Sequence, residues 1–135
     1  MPGTRLAQKP LPVSIHGLEV SRIASILNAH GYKASVLVGL KGGSGENHLF
    51  DFVGRKDGER LAIMGLDSKD YESAAIEMVK LRVKTMDSNP TYTIVVFQTK
   101  DPRIHAFAEE YGYMIIENDN LGTVYEKLSD VLRSL

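Results

Sequence analysis

Residues 49–66, LFDFVGRKDGERLAIMGL, constrain this chain more than any other stretch. The Asp-Gly pair inside KDGE (56–59) suits a tight hairpin turn, because such turns need positive φ at their central residues. The flanking runs, LFDFVGR (49–55) and RLAIMGL (60–66), are rich in strand formers, so an antiparallel pair is predicted. In the second run Leu61, Ala62, Ile63, Met64 and Leu66 are apolar on both parities, which predicts a central strand covered on both faces. The first run carries Asp51. Alternation places Leu49, Asp51 and Val53 on one face and Phe50 and Phe52 on the other. An unpaired carboxylate among such neighbours is costly. A metal, a basic side chain, backbone amides or water at the end of the sheet is expected to meet it.

The rest of the chain supplies helices around this hairpin. LEVSRIASILNAHGY (18–32) reads as an amphipathic helix ended by Gly31, and KASVLVGL (33–40) as a strand. KGGSGENH (41–48) reads as a flexible connection. A long helix is predicted over 69–86, capped by Asp67 or Ser68. Its inner stripe is expected to hold Ala75, Met78, Val79, Arg82 and Val83, widened by Ala74, Leu81 and Met86. A strand over 91–99, a helix over 101–113 with Pro102 in its first turn, a strand over 114–117 and a helix over 121–135 follow. A hairpin feeding helix-connected strands implies an α/β fold with a mixed sheet and helices on both faces.

The 135 residues suit one domain with one real core, expected over 17–135, after an extended, proline-bearing arm over 1–16. Hydrophobic residues make up 43% and the formal net charge is -1, which argues against strong nonspecific attraction to nucleic acid or anionic membrane. There is no cysteine, which excludes disulfides and thiolate metal sites. No apolar run approaches the roughly 20 residues that span a bilayer, and the first residues lack a signal-peptide apolar region. A cytoplasmic protein without a membrane partner is expected.

The order of elements, together with Glu19 near the start of the first helix, HGY (30–32), GGSG (42–45) and FDF (50–52) before the hairpin, resembles the restriction-endonuclease-like nucleases, the PD-(D/E)xK superfamily. Within it the chain looks like the archaeal Holliday junction resolvases and the Mrr-type endonucleases, and the resemblance covers about residues 17–117. It implies a three-layer fold. It also implies that Glu19 and Asp51 match two of four catalytic positions, Asp51 being a possible metal ligand. The third strand departs from the pattern, with Met64 where the family has an acid and Leu66 where it has a lysine. A thioether and an isobutyl group can neither ligate Mg²⁺ nor steady a developing negative charge. A shifted frame would use Asp67 and Lys69, or an acid moved to Glu72. In the family the glycine-rich loop approaches the nucleic-acid backbone, so Lys41 and Ser44 are contact candidates.

Each candidate also has a plainer reading. Glu19 suits the first turn of a helix, where an acid complements the dipole. His48 can reach a phosphate or the surroundings of Asp51, or stay a solvated loop histidine. KGGSGEN lacks the P-loop spacing. His16, His30 and His105 share no metal-ligand spacing, and no G-x-S-x-G elbow is present.

The functional expectation is a catalytically degenerate nuclease-like domain with a binding or assembly role and no cofactor. One alternative is an active endonuclease or resolvase that uses Mg²⁺ through Glu19, Asp51 and Asp67 or Glu72. Another is a homodimeric module unrelated to nucleic acid, joined through the arm and the apolar face of the last helix (Val124, Leu128, Val131, Leu132, Leu135).

Overall fold

The computed structural model describes residues 11–98, 100–119 and 122–135. Two short strands, β1 (Ser14–Ile15) and β2 (Leu18–Glu19), pair antiparallel and run into helix α1 (Val20–Ala29). Strands β3 (Lys33–Lys41), β4 (Asn47–Lys56) and β5 (Glu59–Leu66) follow, then α2 (Tyr71–Ser88), β6 (Tyr92–Phe97), α3 (Pro102–Glu110), β7 (Met114–Glu117) and α4 (Thr123–Ser134). The main sheet has the order β3-β4-β5-β6-β7. Its first three strands are antiparallel, and β6 and β7 run parallel to β5. The fold is therefore α/β with a mixed five-stranded sheet, as the hairpin and the helix-connected strands require. No helix among the described residues is long and apolar enough to cross a membrane.

The hairpin forms as its turn chemistry dictates. Asp57 and Gly58 both have positive φ, 51° and 79°, and Lys56 pairs with Glu59 across the turn. Strand β5 is central and serves two cores. Leu61 and Ile63 join Leu18, Ile23 and Leu27 of the N-terminal segment and Leu128 and Leu132 of α4. Ala62, Leu66 and the partly buried Met64 join Ala74, Met78 and Leu81 of α2 and Ile104 and Ala108 of α3. The apolar side of α4 thus closes the domain's own core through Val124, Leu128 and Leu132, and these residues are not free for the interface expected of them.

Several boundaries and faces depart from the sequence reading. The N-terminal arm was expected to run through residue 16. Residues 1–10 lie outside the described residues, but Ser14–Ile15 pair with β2 and Ile15 is buried in the core. Helix α2 begins at Tyr71, and its cap is Asp70, whose carboxylate accepts from the Ser73 amide at 3.0 Å, rather than Asp67 or Ser68. Its buried residues are Ala74, Met78, Leu81, Thr85 and Ser88. The expected inner residues Val79 and Val83, and with them Met86, face outward instead.

The most consequential departure is in β3 and β4. Phe50 and Phe52 do not share a face: Phe50 and Val53 pack under α2 and α3, whereas Phe52 packs under α1 and α4. Strand β3 switches at the same level, with Ala34 and Val36 against one core and Val38 and Leu40 against the other. Between them the ladder pairs Val36 with Phe52 and Val38 with Phe50, and skips Leu37 and Asp51. Leu37 has φ 49°, a left-handed conformation that turns the strand over and lifts Asp51 out of the regular pleat.

That conformation is strained for leucine, by roughly 1–2 kcal/mol. Leu37→Gly should therefore be neutral or stabilising by up to about 1 kcal/mol, and Leu37→Val should destabilise by about 1–2 kcal/mol. Urea unfolding of the two variants measures this, and a milder effect for valine than for glycine would contradict the assignment.

Candidate functional site

The β4–β5 ladder begins beside the turn and ends at Phe52 and Ile63, while β5 continues alongside β6 to Leu66 and Phe97. The two strands of the hairpin thus part, and Asp51 stands in the fork. It is only 5% exposed. The Gly65 amide donates to Asp51 Oδ2 at 2.9 Å, in the place where the ladder would otherwise continue. The same oxygen takes a hydrogen bond from His16 Nδ1 at 2.7 Å. Across the fork, the Asp51 amide lies 3.3 Å from Met64 Sδ. The cost of burying this charge is offset by a backbone amide and an imidazole.

His16 reaches the fork because β1 and β2 form a miniature hairpin. Ile15 pairs with Leu18, leaving His16 (φ 50°) and Gly17 (φ 77°) as a two-residue turn. The imidazole then lies over Gly65, where an added Cβ would come within 2.7 Å of His16 Cβ. Gly65 is thus the position that admits the histidine. On its far side, His16 Nε2 is 3.6 Å from Asp67 Oδ2. Beside the fork lies a cleft of about 140 Å³, lined among others by His16, Met64, Gly65, Glu77, Lys80 and Lys84. Glu77 accepts from the hydroxyl and, at 3.3 Å, the amide of Ser68, and Lys84 Nζ donates to the Leu49 carbonyl at 3.0 Å.

The other sequence candidates are dispersed. Glu19 immediately precedes α1, its side chain 52% exposed and 3.3 Å from Arg22, and its amide donates to the Tyr125 hydroxyl. Glu72 is exposed in the first turn of α2, and Lys69 is exposed in the β5–α2 connection. Met64 and Leu66 do lie on β5 beside the fork, Leu66 buried. Among the described residues, no group of three or more His, Asp and Glu side chains is arranged to hold a metal ion. The groups that meet Asp51, a backbone N–H and an imidazole, are not the several oxygen ligands that a Mg²⁺ site takes in near-octahedral geometry.

The glycine-rich loop has its own occupant. The Ser44 amide donates to Asp87 Oδ1 at 2.9 Å, the Ser44 hydroxyl donates to Asp87 Oδ2, and His48 Nε2 is 2.6 Å from Oδ2. Asp87 sits where a Cβ on Gly42 would fall, so this loop admits the carboxylate only as glycine. Ser44 and His48 thus bind the end of α2, while Lys41 is exposed at the end of β3. Hydrogen bonds from Ser44, then from His48, hold the Asp87 carboxyl down at about 2.

Sequence reasoning named Asp51 and missed its partners. His16 and Gly65 are separated from it by 35 and 14 residues, so no local spacing marks them. A His-Gly turn between two short strand-like pairs was the one available signal, since histidine tolerates positive φ better than most residues.

No family model matches the chain, and no curated protein matches it. Solved structures share its fold. One is a protein of unknown function, AF1548, with a TM-score of 0.57 and 16% identity over 84% of this chain and 64% of that one. Another is protein VC1899 from Vibrio cholerae, with a TM-score of 0.60 and 15% identity over 84% of this chain and 32% of that one. This chain therefore spans less than two thirds of either, and at such identities the likeness is one of fold.

Two outcomes follow from the site. Asp51→Ala should destabilise by about 2–3 kcal/mol, because it strands the Gly65 amide and the imidazole, whereas Asp51→Asn, which keeps an acceptor, should cost about half as much. Equal losses in chemical denaturation would contradict the clamp. For Asp87 the folded value lies below the ordinary carboxylate value of about 3.9, so its contribution is present above that pH and lost as pH falls toward about 2. Thermal melts between pH 5 and 2 should show a shallower acid loss for Asp87→Asn than for the wild type, and parallel curves would contradict it.

Proposed function

We propose that this chain is a restriction-endonuclease-like domain whose catalytic centre has become a structural clamp, and that it works by binding or assembly rather than by cutting. The observation that carries the reading is the engagement of Asp51 Oδ2 by the Gly65 amide and by His16 Nδ1. A carboxylate so occupied is poorly placed to collect a hydrated divalent ion. Three further features support it. The element order and the mixed sheet agree with the superfamily's core. The hairpin strands part at the aspartate that the resemblance singles out. The positions beyond it, Met64 and Leu66, supply no oxygen ligand and no cation.

A second reading has one observation in its favour. Glu77, Lys80 and Lys84 of α2 share the cleft beside Met64, with Asp67 close to His16 on the β5 side. An active nuclease with a rearranged site would draw its acid and its lysine from that helix and from Asp67, with Asp51 released from His16.

Cleavage assays with Mg²⁺ and with Mn²⁺ on duplex, single-stranded and branched DNA separate the two. The clamp reading expects no cleavage above a no-protein control. Cleavage that Asp51→Ala and Lys80→Ala each abolish would establish the second reading instead.

A further inference from the structure

Helix α2 is apolar on two opposite sides. One side is the buried row already described. The other carries Ile76, Val79, Val83 and Met86, which are 58%, 53%, 59% and 68% exposed. Their spacing of three, four and three residues places all four on one narrow stripe along the outside of the helix. Nothing among the described residues covers it. Singly exposed apolar residues are ordinary, but four aligned on one helix form a continuous patch.

We infer that this face is the contact between two copies of the chain, with α2 packed antiparallel against α2 of the second copy across a two-fold axis. The spacing reads the same in both directions. An antiparallel pair centred on the stripe sets Ile76 of one copy opposite Met86 of the other and Val79 opposite Val83, so each apolar side chain meets another. Antiparallel packing also opposes the two helix dipoles. The size agrees with a dimer. At these exposures the four side chains present roughly 400 Å² of apolar surface per copy, and a stable interface takes about 800 Å² per partner with somewhat more than half of it apolar. The stripe is thus about the apolar centre that such an interface needs.

The charges beside the stripe refine the geometry. Arg82 is drawn aside, its guanidinium 4.8 Å from the centroid of the Tyr111 ring. Glu77 and Asp87 are held by Ser68 and by Ser44 with His48. Lys84 is held by the Leu49 carbonyl, which leaves two exposed charges: Glu72, in line with the N-terminal end of the stripe, and Lys80, which borders its middle, where the two-fold axis brings it near its own counterpart. Association is therefore apolar in origin and opposed by like charge, so salt should tighten it. The inference supplies the partner for the assembly role proposed above but rests on α2 alone. A nuclease result bears on the clamp, and a molecular mass bears on this face.

Sedimentation velocity and light scattering of the full chain, from about 1 to 200 µM, decide it. The expected result is a mass that rises from 14.9 kDa toward twice that value. The dissociation constant should fall about threefold on raising salt from about 50 to 500 mM, and by a similar factor in Lys80→Gln. Val79→Asp with Val83→Asp, and separately Ile76→Glu, should weaken the dimer by about a hundredfold while leaving the melting temperature of the monomer unchanged, since all three side chains are outside the core. A mass of 14.9 kDa at every concentration would overturn the inference, as would a dimer that these variants leave intact or that salt dissolves.

Discussion

The contact on which the rest of the site depends is the one between the Asp51 carboxylate and the Gly65 amide. A hairpin that ran regularly from its turn would continue its backbone ladder past Phe52 and Ile63. Here the side chain takes over from the backbone, so β5 is free to leave β4 and follow β6 while the Gly65 amide keeps a partner. His16 closes the arrangement from the N-terminal hairpin and ties β1 and β2 to the centre of the sheet. Burial is what makes this work: in a site so poorly solvated, a carboxylate with two donors is strongly held, and one without them would not be tolerated.

The switch of faces in β3 and β4 serves the same end. By turning both strands over at the level of Leu37 and Asp51, the chain gives Phe50 to the core under α2 and Phe52 to the core under α1 and α4. Both large side chains are then fully buried, and the residue between them is freed from the pleat to bond sideways into the fork. The strain at Leu37 accompanies that rearrangement. It also interrupts an otherwise regular edge strand, which discourages pairing with another chain along that edge.

Much of the architecture was legible in the sequence because it rests on local rules. The Asp-Gly turn, the doubly apolar third strand and the proline at the start of α3 each carry a signature within a few residues, and each behaves as read. What could not be read depends on distant partners or on a backbone state that leucine does not announce. Alternation predicted one face for Phe50 and Phe52, and a single positive φ in the neighbouring strand defeats it. The inner side of α2 was misplaced because the helix is apolar on two sides and periodicity alone cannot say which one the sheet will take. The glycine-rich loop reads as a flexible connection, with Ser44 a contact candidate through the resemblance alone, and no local spacing announces that Ser44 bonds Asp87 from 43 residues away.

The central claim is that Asp51 holds the fork together and does not gather a metal ion. Paramagnetic broadening of amide signals during a Mn²⁺ titration tests it most directly, because it reports on the site without requiring a substrate. The account predicts that the Asp51 and Gly65 amides broaden no more than those of other surface-distant residues, and that Asp51→Asn leaves the pattern unaltered. Saturable broadening centred on those two amides and lost in Asp51→Asn would contradict it.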